Sequence, residues 1–259
     1  MTWAPFDDSY LRAALEMTPG RILKKVVGAN WDVDSTAFED IWPGGGVYDW
    51  PTTAQQIEAI STDADDTYQG DGARVVRCCF LKDDWTLERD IDIALNGTSA
   101  SDPTTNSYIR LLDAHIIRAG TYGGANEGTI TLRGASDQKV FGKFAVQDEH
   151  GVGQIMASMF TIPAGMTGYF LGGTVYVDAA QPATVRVNRR IDAHLVTAPF
   201  GAASQYVPAF GVEGPFAIPM KGPSSPIPEK TDLWASAKGD SANSRVSIEY
   251  ELLLVENPV

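Results

Sequence analysis

Cysteine is nearly absent from this 259-residue chain: there are two, and they are neighbours, Cys78 and Cys79. On a strand, adjacent side chains point to opposite faces, so this pair cannot close a disulfide in ordinary geometry. A cysteine-stapled scaffold is excluded, and the two read as small hydrophobes. Histidine is almost as scarce, with only His115, His150 and His194. Their spacing fits no zinc signature, and the cysteines lack C-x-x-C spacing. Basic charge is in deficit: 20 Lys and Arg stand against 33 Asp and Glu, a net charge of −13. A field of that sign repels phosphate backbones, so nucleic acid is not an expected partner. No apolar run approaches the roughly 18 residues of a membrane-crossing helix, and no membrane partner is expected. The first residues, MTWAPFDDSYLRAALEM, lack the basic start and apolar stretch of a secretory leader, so folding in a cytoplasm is expected.

Signatures of catalysis are missing as well. There is no G-x-S-x-G elbow for a nucleophile. Gly44-Gly45-Gly46 belongs to a turn cluster, WPGGG, and does not link a strand to a helix as a phosphate loop would. Asp113 and His115 share a strand face, a spacing that suits a structural pair. Asp90 and Asp92 share the polar face of one strand and read as solvated, whereas a glycosidase needs carboxylates facing each other across a sugar. The expectation is a protein that is not an enzyme, with no catalytic residue and no cofactor.

What the chain has in quantity is alternation. In Arg245 to Val255, Val246, Ile248, Tyr250, Leu252 and Leu254 fall on one face, and Ser247, Glu249 and Glu251 on the other. Trp85, Leu87, Ile91, Ile93 and Leu95 repeat the pattern, with Arg89 as the exception. A period of two means a strand with one wet and one dry face. Strands are expected near residues 54–61, 73–81, 85–95, 108–118, 128–133, 154–162, 169–178, 184–191, 231–237 and 245–255. Turn residues separate them, among them Lys82-Asp83-Asp84, Asn96-Gly97, the 163–168 segment and the 238–243 segment. The expected fold class is all-β, an antiparallel sandwich of jelly-roll type spanning 51–259.

Two segments break the rhythm. Residues 1–50 are expected to form an irregular N-terminal arm, with a short helix over Asp8 to Met17 and a strand or arm around Ile22, Leu23, Val26 and Val27. Four of the six tryptophans fall here, Trp3, Trp31, Trp42 and Trp50. Residues 198–230 hold seven of the fifteen prolines, interleaved with Phe200, Tyr206, Phe210 and Phe216. Proline withholds a ladder donor, so this is no central strand and reads as a long inserted loop. Aromatics on irregular segments need cover from the domain or from a neighbour. Trp3, Trp31, Trp42, Phe200, Tyr206, Phe210 and Phe216 are therefore the candidate partner contacts.

The charge is uneven. Asp32 to Asp92 contains 15 acidic residues against four basic ones. Within it the 61–73 loop, STDADDTYQGDGA, carries Asp63, Asp65, Asp66 and Asp71, oxygen ligands dense enough to consider Ca²⁺. The glycine and the terminal glutamate are misplaced for an EF-hand, and Asp is equally at home in turns.

Several stretches together resemble a known group: WPGGGVYDWP (42–51), STDADDTYQGDGAR (61–74), LERDIDIALNGT (87–98), IIRAGTYGGANEGTITL (116–132) and QIMASMFTIPAGMTGYFLGG (154–173). They are similar to β-rich virion structural proteins of tailed bacteriophages of aquatic bacteria, over roughly residues 42–255. The motifs are turns and strands, so the resemblance carries over no catalytic residue. It implies a building block of the particle: a capsid cement or decoration protein, a head-fibre base or a tail component. The partners implied are the phage major capsid protein and copies of the chain itself, with a homotrimer expected, in a virion assembled in the host cytoplasm. The alternative is a carbohydrate-binding or receptor-binding module of a fibre or tail, its exposed aromatics stacking on sugar rings.

Overall fold

The computed structural model describes residues 19–146, 153–218 and 225–258. Within them the regular structure is all strand. The expected helix over Asp8 to Met17 lies outside the described residues.

Eight strands build the first sandwich. One sheet runs β1 (Arg21–Val33), β15 (Ser244–Glu256), β10 (Met166–Val177), β13 (Pro215–Ile218). The facing sheet runs β12 (Ala203–Val212), β11 (Ala183–Arg190), β14 (Asp232–Gly239), β2 (Glu39–Asp40). Every pairing is antiparallel. Counted along the chain, the eight strands stand in the order 1-8-3-6 in one sheet and 5-4-7-2 in the other. First pairs with last and second with second-to-last, the signature of a hairpin rolled into a jelly roll. The alternation of β15 survives intact. Val246, Ile248, Tyr250, Leu252 and Leu254 are all buried, and they share a core with Val185 and Val187 of β11 and Leu233, Ala235 and Ala237 of β14.

The second jelly-roll strand is interrupted. β2 puts Glu39 and Asp40 opposite Ala237 and Ser236 of β14. Further along the same edge β9 (Phe160–Thr161) puts Phe160 and Thr161 opposite Leu233 and Asp232. The two are collinear halves of one edge strand, and residues 41–159 leave between them. Side chains and backbone bridge the gap: Ile41 N donates to Ala235 O (3.0 Å), and the Ser158 hydroxyl exchanges hydrogen bonds with Ala235 (3.2 Å). Ser158 N also donates to Ile41 O at 3.0 Å, so the insertion leaves and returns at one point.

The insertion is a second sandwich. A sheet of β5 (Leu87–Ala94), β4 (Ala73–Lys82) and β6 (Tyr108–Ala119) packs on a sheet of β3 (Ile57–Ser61), β7 (Ile130–Gly134) and β8 (Val140–Phe144). Ile57, Val76, Phe80, Ile93, Tyr108, Ile130, Leu132 and Phe144 fill the space between. Phe80 stacks on Tyr108 at 4.4 Å.

Sheet β5-β4-β6 serves two cores, and a bulge makes this possible. Cys78 pairs with Ile91 and Phe80 with Glu88, so Cys79 faces two residues, Arg89 and Asp90. Asp90 takes φ 59° there. One extra residue turns the strand over. Ile91, Ile93 and Leu95 face the second core, while Leu87 and Trp85 pack on the jelly roll. Arg89, the exception in the alternation, sits in this bulge. Leu81, Ile109 and Leu112 join Trp85 against the jelly-roll core. At roughly 2 kcal/mol for each large buried side chain, this docking outweighs any surface ion pair, worth about 1 kcal/mol at most.

Three expectations are corrected. In their described part residues 1–50 are no irregular arm, and of the two readings offered around Ile22, Leu23, Val26 and Val27 the strand is the one formed: β1 is a 13-residue strand in register with β15 from Arg21↔Val255 to Asn30↔Val246. Residues 198–230 are not one loop, because β12 contains Pro208 and β13 begins at Pro215. Both strands lie at sheet edges, where a missing N–H faces no partner, so proline ruled out a central strand but not these. The single sandwich expected over 51–259 resolves into a jelly roll and an inserted sandwich, because periodicity cannot tell which core an apolar face meets.

Candidate interaction surfaces

At the junction of the two sandwiches lies a buried ion cluster. Asp232 of β14 accepts from Arg110 of β6 (3.1 and 3.2 Å), from Arg190 of β11 (3.1 and 2.5 Å) and from the Thr161 hydroxyl (2.6 Å). Arg110 also donates to Pro51 O and Ile109 O and lies between the rings of Trp50 and Trp85 at 5.0 and 4.9 Å. Arg190 packs on Trp50 and Trp234. The cluster joins β14 and β11 of the jelly roll to β6 of the insertion.

Beside it a cleft of about 260 Å³ separates β1 from the insertion. Lys24 lies on the inward phase of β1, opposite Leu252, and its amine crosses to Asp113 Oδ2 of β6 at 2.5 Å. Asp113 therefore serves Lys24, and the Asp113–His115 pairing suggested by their spacing is not formed as a relay. Cys79 lines the same cleft, and burial pushes its thiol up to about 11, against the opposing pull of Lys24 and Arg89. A thiol held protonated at neutral pH is a poor nucleophile. Burial raises Cys78 also. His194 lies edge-on to Trp85, 6.4 Å between ring centres.

The acidic loop is built around one carboxylate. Asp66 is fully buried and accepts from the Ser61 hydroxyl (2.6 Å) and from the backbone N–H groups of Ala73 (2.8 Å), Glu127 (2.9 Å) and Gly128 (2.9 Å). Asp63 accepts from Asp65 N in a local turn. Asp66 is a keystone joining the loop to the 126–128 segment. Among the described residues no three His, Cys, Asp or Glu side chains are grouped to hold a metal ion.

The candidate partner contacts divide. Phe200 is 66% exposed, and Trp31 and Phe216 are also exposed. Arg245 lies over the Trp31 ring at 5.6 Å. Tyr206 and Phe210 are half-buried: Tyr206 meets Phe170 (5.8 Å) and Phe210 meets Phe216 (4.9 Å). Those two pairs join β12 to β10 and β13, closing one open side of the jelly roll. Trp42 is buried, a correction. The WPGGG turn folds its ring inward, Nε1 donates to Gly45 O (2.9 Å), and Tyr48 packs against it at 5.1 Å. Trp3 lies outside the described residues.

Sequence reasoning missed other exposed side chains. Ile191, Leu195 and Val196 stand out with Phe200 from the β11–β12 connection. Tyr68 and Tyr122 stand out at the far end of the insertion, with Tyr122 fully exposed. The signal for Tyr122 was present in its setting, T-Y-G-G, a bulky ring on a glycine turn.

No protein-family model matches the chain, and no curated protein matches it in sequence. Among solved structures it is similar to a chain of infectious bursal disease virus, Gx strain, at 12% identity over 96% of this chain and 83% of that one, with a TM-score of 0.18. A chain of the Gt strain gives 11% identity over 97% and 83%, with a TM-score of 0.16. A chain of T=1 particles derived from infectious bursal virus gives 11% over 93% and 75%, with a TM-score of 0.15. Scores of that size do not carry an argument, and the architecture rests on the strand order.

Proposed function

We propose that this chain is a structural subunit of a virus particle. In its finer form it is a cement or decoration protein on the outer capsid of a tailed phage. The observation that carries the proposal is the 1-8-3-6 over 5-4-7-2 strand order with a whole sandwich inserted into one edge strand. Jelly rolls serve viral capsids, lectins and metal-binding barrels, so the fold alone does not choose among them. The rest of the chain favours the first. A metal-binding barrel needs polar ligands between its sheets, whereas Val185, Val187, Ile248, Leu252 and their neighbours fill that space. The cleft beside β1 pairs its lysine with its aspartate and offers an unreactive thiol. The exposed side chains Trp31, Leu195, Val196, Phe200 and Phe216 supply apolar contact area to neighbours. The partners in this proposal are the major capsid protein and further copies of the chain, arranged as a trimer.

Mass spectrometry of purified particles tests the proposal. The protein is expected at a fixed copy number, and particles made without it are expected to take up recombinant protein to saturation. Its absence from purified particles would overturn particle membership. Presence without saturable rebinding would overturn only the decoration role.

A further inference from the structure

A hollow of about 610 Å³ lies at the far end of the insertion. Its wall is the end of β6 from Ile116 to Ala119, and its rim is the turn 121–124. Two features set it apart. Among the described residues the only charged side chains lining it are Arg74 and Arg118, although residues 41–159 carry 17 acidic residues against nine basic ones. The other feature is Tyr122, whose ring is fully exposed above glycines at 123, 124 and 153.

The site is rigidly built. Gly120 N donates to Gly72 O (2.8 Å) and Gly124 N to Thr121 O (3.0 Å), while the Thr121 hydroxyl donates to Asp71 O (3.1 Å). Gly123 takes φ 76°, a conformation other residues rarely adopt, and a Cβ there would meet nothing within 4 Å. Arg74 is held by its Nε–H on Gly70 O (2.8 Å) and lines the hollow together with Arg118.

We propose that this hollow binds a terminal anionic sugar, such as a uronic or sialic acid residue. The carboxylate would take the guanidinium forks of Arg74 and Arg118, a planar match that arginine makes in bidentate fashion. The apolar face of the pyranose ring would lie on Tyr122, an aromatic platform already free of protein cover. The glycines let the ring approach the backbone closely. The surroundings select against longer polyanions. Asp63, Asp65 and Asp71 lie on the loop that anchors the turn, and at physiological salt their field reaches about 8 Å. A nucleic acid or polyphosphate, with many charges outside the hollow, would meet that field at more points than a single terminal carboxylate held by the two arginines. The site is independent of particle membership and is assayed on the isolated chain, so its failure leaves the particle proposal standing.

The test is titration of the full chain with sialyllactose and with a glucuronic-acid-terminated trisaccharide, by calorimetry and saturation-transfer NMR. Each acid is compared with its methyl ester, which has the same shape and no charge. The acids are expected to bind and the esters to bind at least about tenfold more weakly, the worth of one lost charge-assisted contact. Arg118→Ala and Tyr122→Ala are each expected to weaken binding by a similar factor with unchanged melting temperature, since both side chains are exposed. Arg74→Lys keeps the charge and loses the fork, and is expected to fall between. No saturable binding of either acid at millimolar concentration overturns the proposal. So does equal binding of acid and ester, wild-type affinity in both Arg118→Ala and Tyr122→Ala, or tighter binding of heparin or inorganic phosphate than of the sugars.

Discussion

Two aspartates carry opposite lessons at the residue scale. Asp40 sits where the chain leaves the jelly roll. Burial raises its carboxyl to about 6, against the hydrogen bond it accepts from Tyr48 N (2.8 Å). Unfolded, it titrates near 3.8. Between these values the folded chain holds a proton that the unfolded chain has lost, so stability falls as pH rises through that window. At about 1.4 kcal/mol per unit the loss is roughly 3 kcal/mol by pH ~7. Asp40→Asn keeps an oxygen for Tyr48 and removes the titration. Urea denaturation from about pH 4 to pH 7 is expected to give wild type this extra slope and the variant none. Equal slopes would mean that Asp40 ionises freely. Asp66 is buried as an acceptor for four donors. Asp66→Ala orphans them, at about 1–3 kcal/mol for each group left without a partner, so a loss of several kcal/mol is expected. Asp65→Ala and Asp71→Ala should stay within about 0.5 kcal/mol, as exposed positions do. Thermal unfolding with and without EDTA checks this, because a calcium loop would make all these residues matter and would respond to the chelator.

At the element scale the interrupted edge strand is the decisive device. Gly28 of β1 faces the point where the insertion leaves and returns. A Cβ there would lie 2.7 Å from Ser158 Cβ and N and 2.8 Å from Ile41 O. Two of these are backbone atoms held by the Ser158–Ile41 and Ala235 hydrogen bonds, so they cannot swing aside. Gly28→Ala is expected to cost about 1–3 kcal/mol, the usual range for overpacking, in chemical denaturation. A neutral result would mean that the junction is loose. Strands with a wet and a dry face announced themselves, and β9 falls within the strand expected near 154–162; β2 did not, because a two-residue strand leaves no periodic trace. β12 and β13 were hidden by their prolines, and β8 by the glycine at its centre, Gly142, which breaks the alternation.

For the whole molecule, the question is whether two sandwiches behave as one. Asp232 of the jelly roll holds Arg110 of the insertion, and Arg110 is almost completely buried. Asp232→Ala leaves that cation with carbonyls and ring faces alone. Removing one partner of a buried pair costs about 3–5 kcal/mol. The loss is expected in a single transition seen alike by tryptophan fluorescence and far-UV circular dichroism, since Trp50, Trp85 and Trp234 surround the joint. Two separated transitions would show that the sandwiches unfold independently. The net charge of −13 belongs to this scale as well: the insertion carries most of it, and a protein surface that meets the insertion away from the Arg74–Arg118 hollow is expected to be basic.

The sequence by itself determined the class of fold. Each long strand carries its own record, because a side chain every second residue must be apolar where a sheet buries one face. The chain's scarcity of cysteine, histidine and cationic side chains turned the expectation away from a stapled scaffold, a zinc site and a nucleic-acid partner. Only the tertiary structure decided which core each face meets. The Arg89–Asp90 bulge sends one apparent stripe to two cores, and nothing in a period of two records that turn-over. Likewise only the fold buried Trp42 and used Asp66 as a keystone. Exposure is a property of what lies opposite, and what lies opposite is set by residues a hundred positions away.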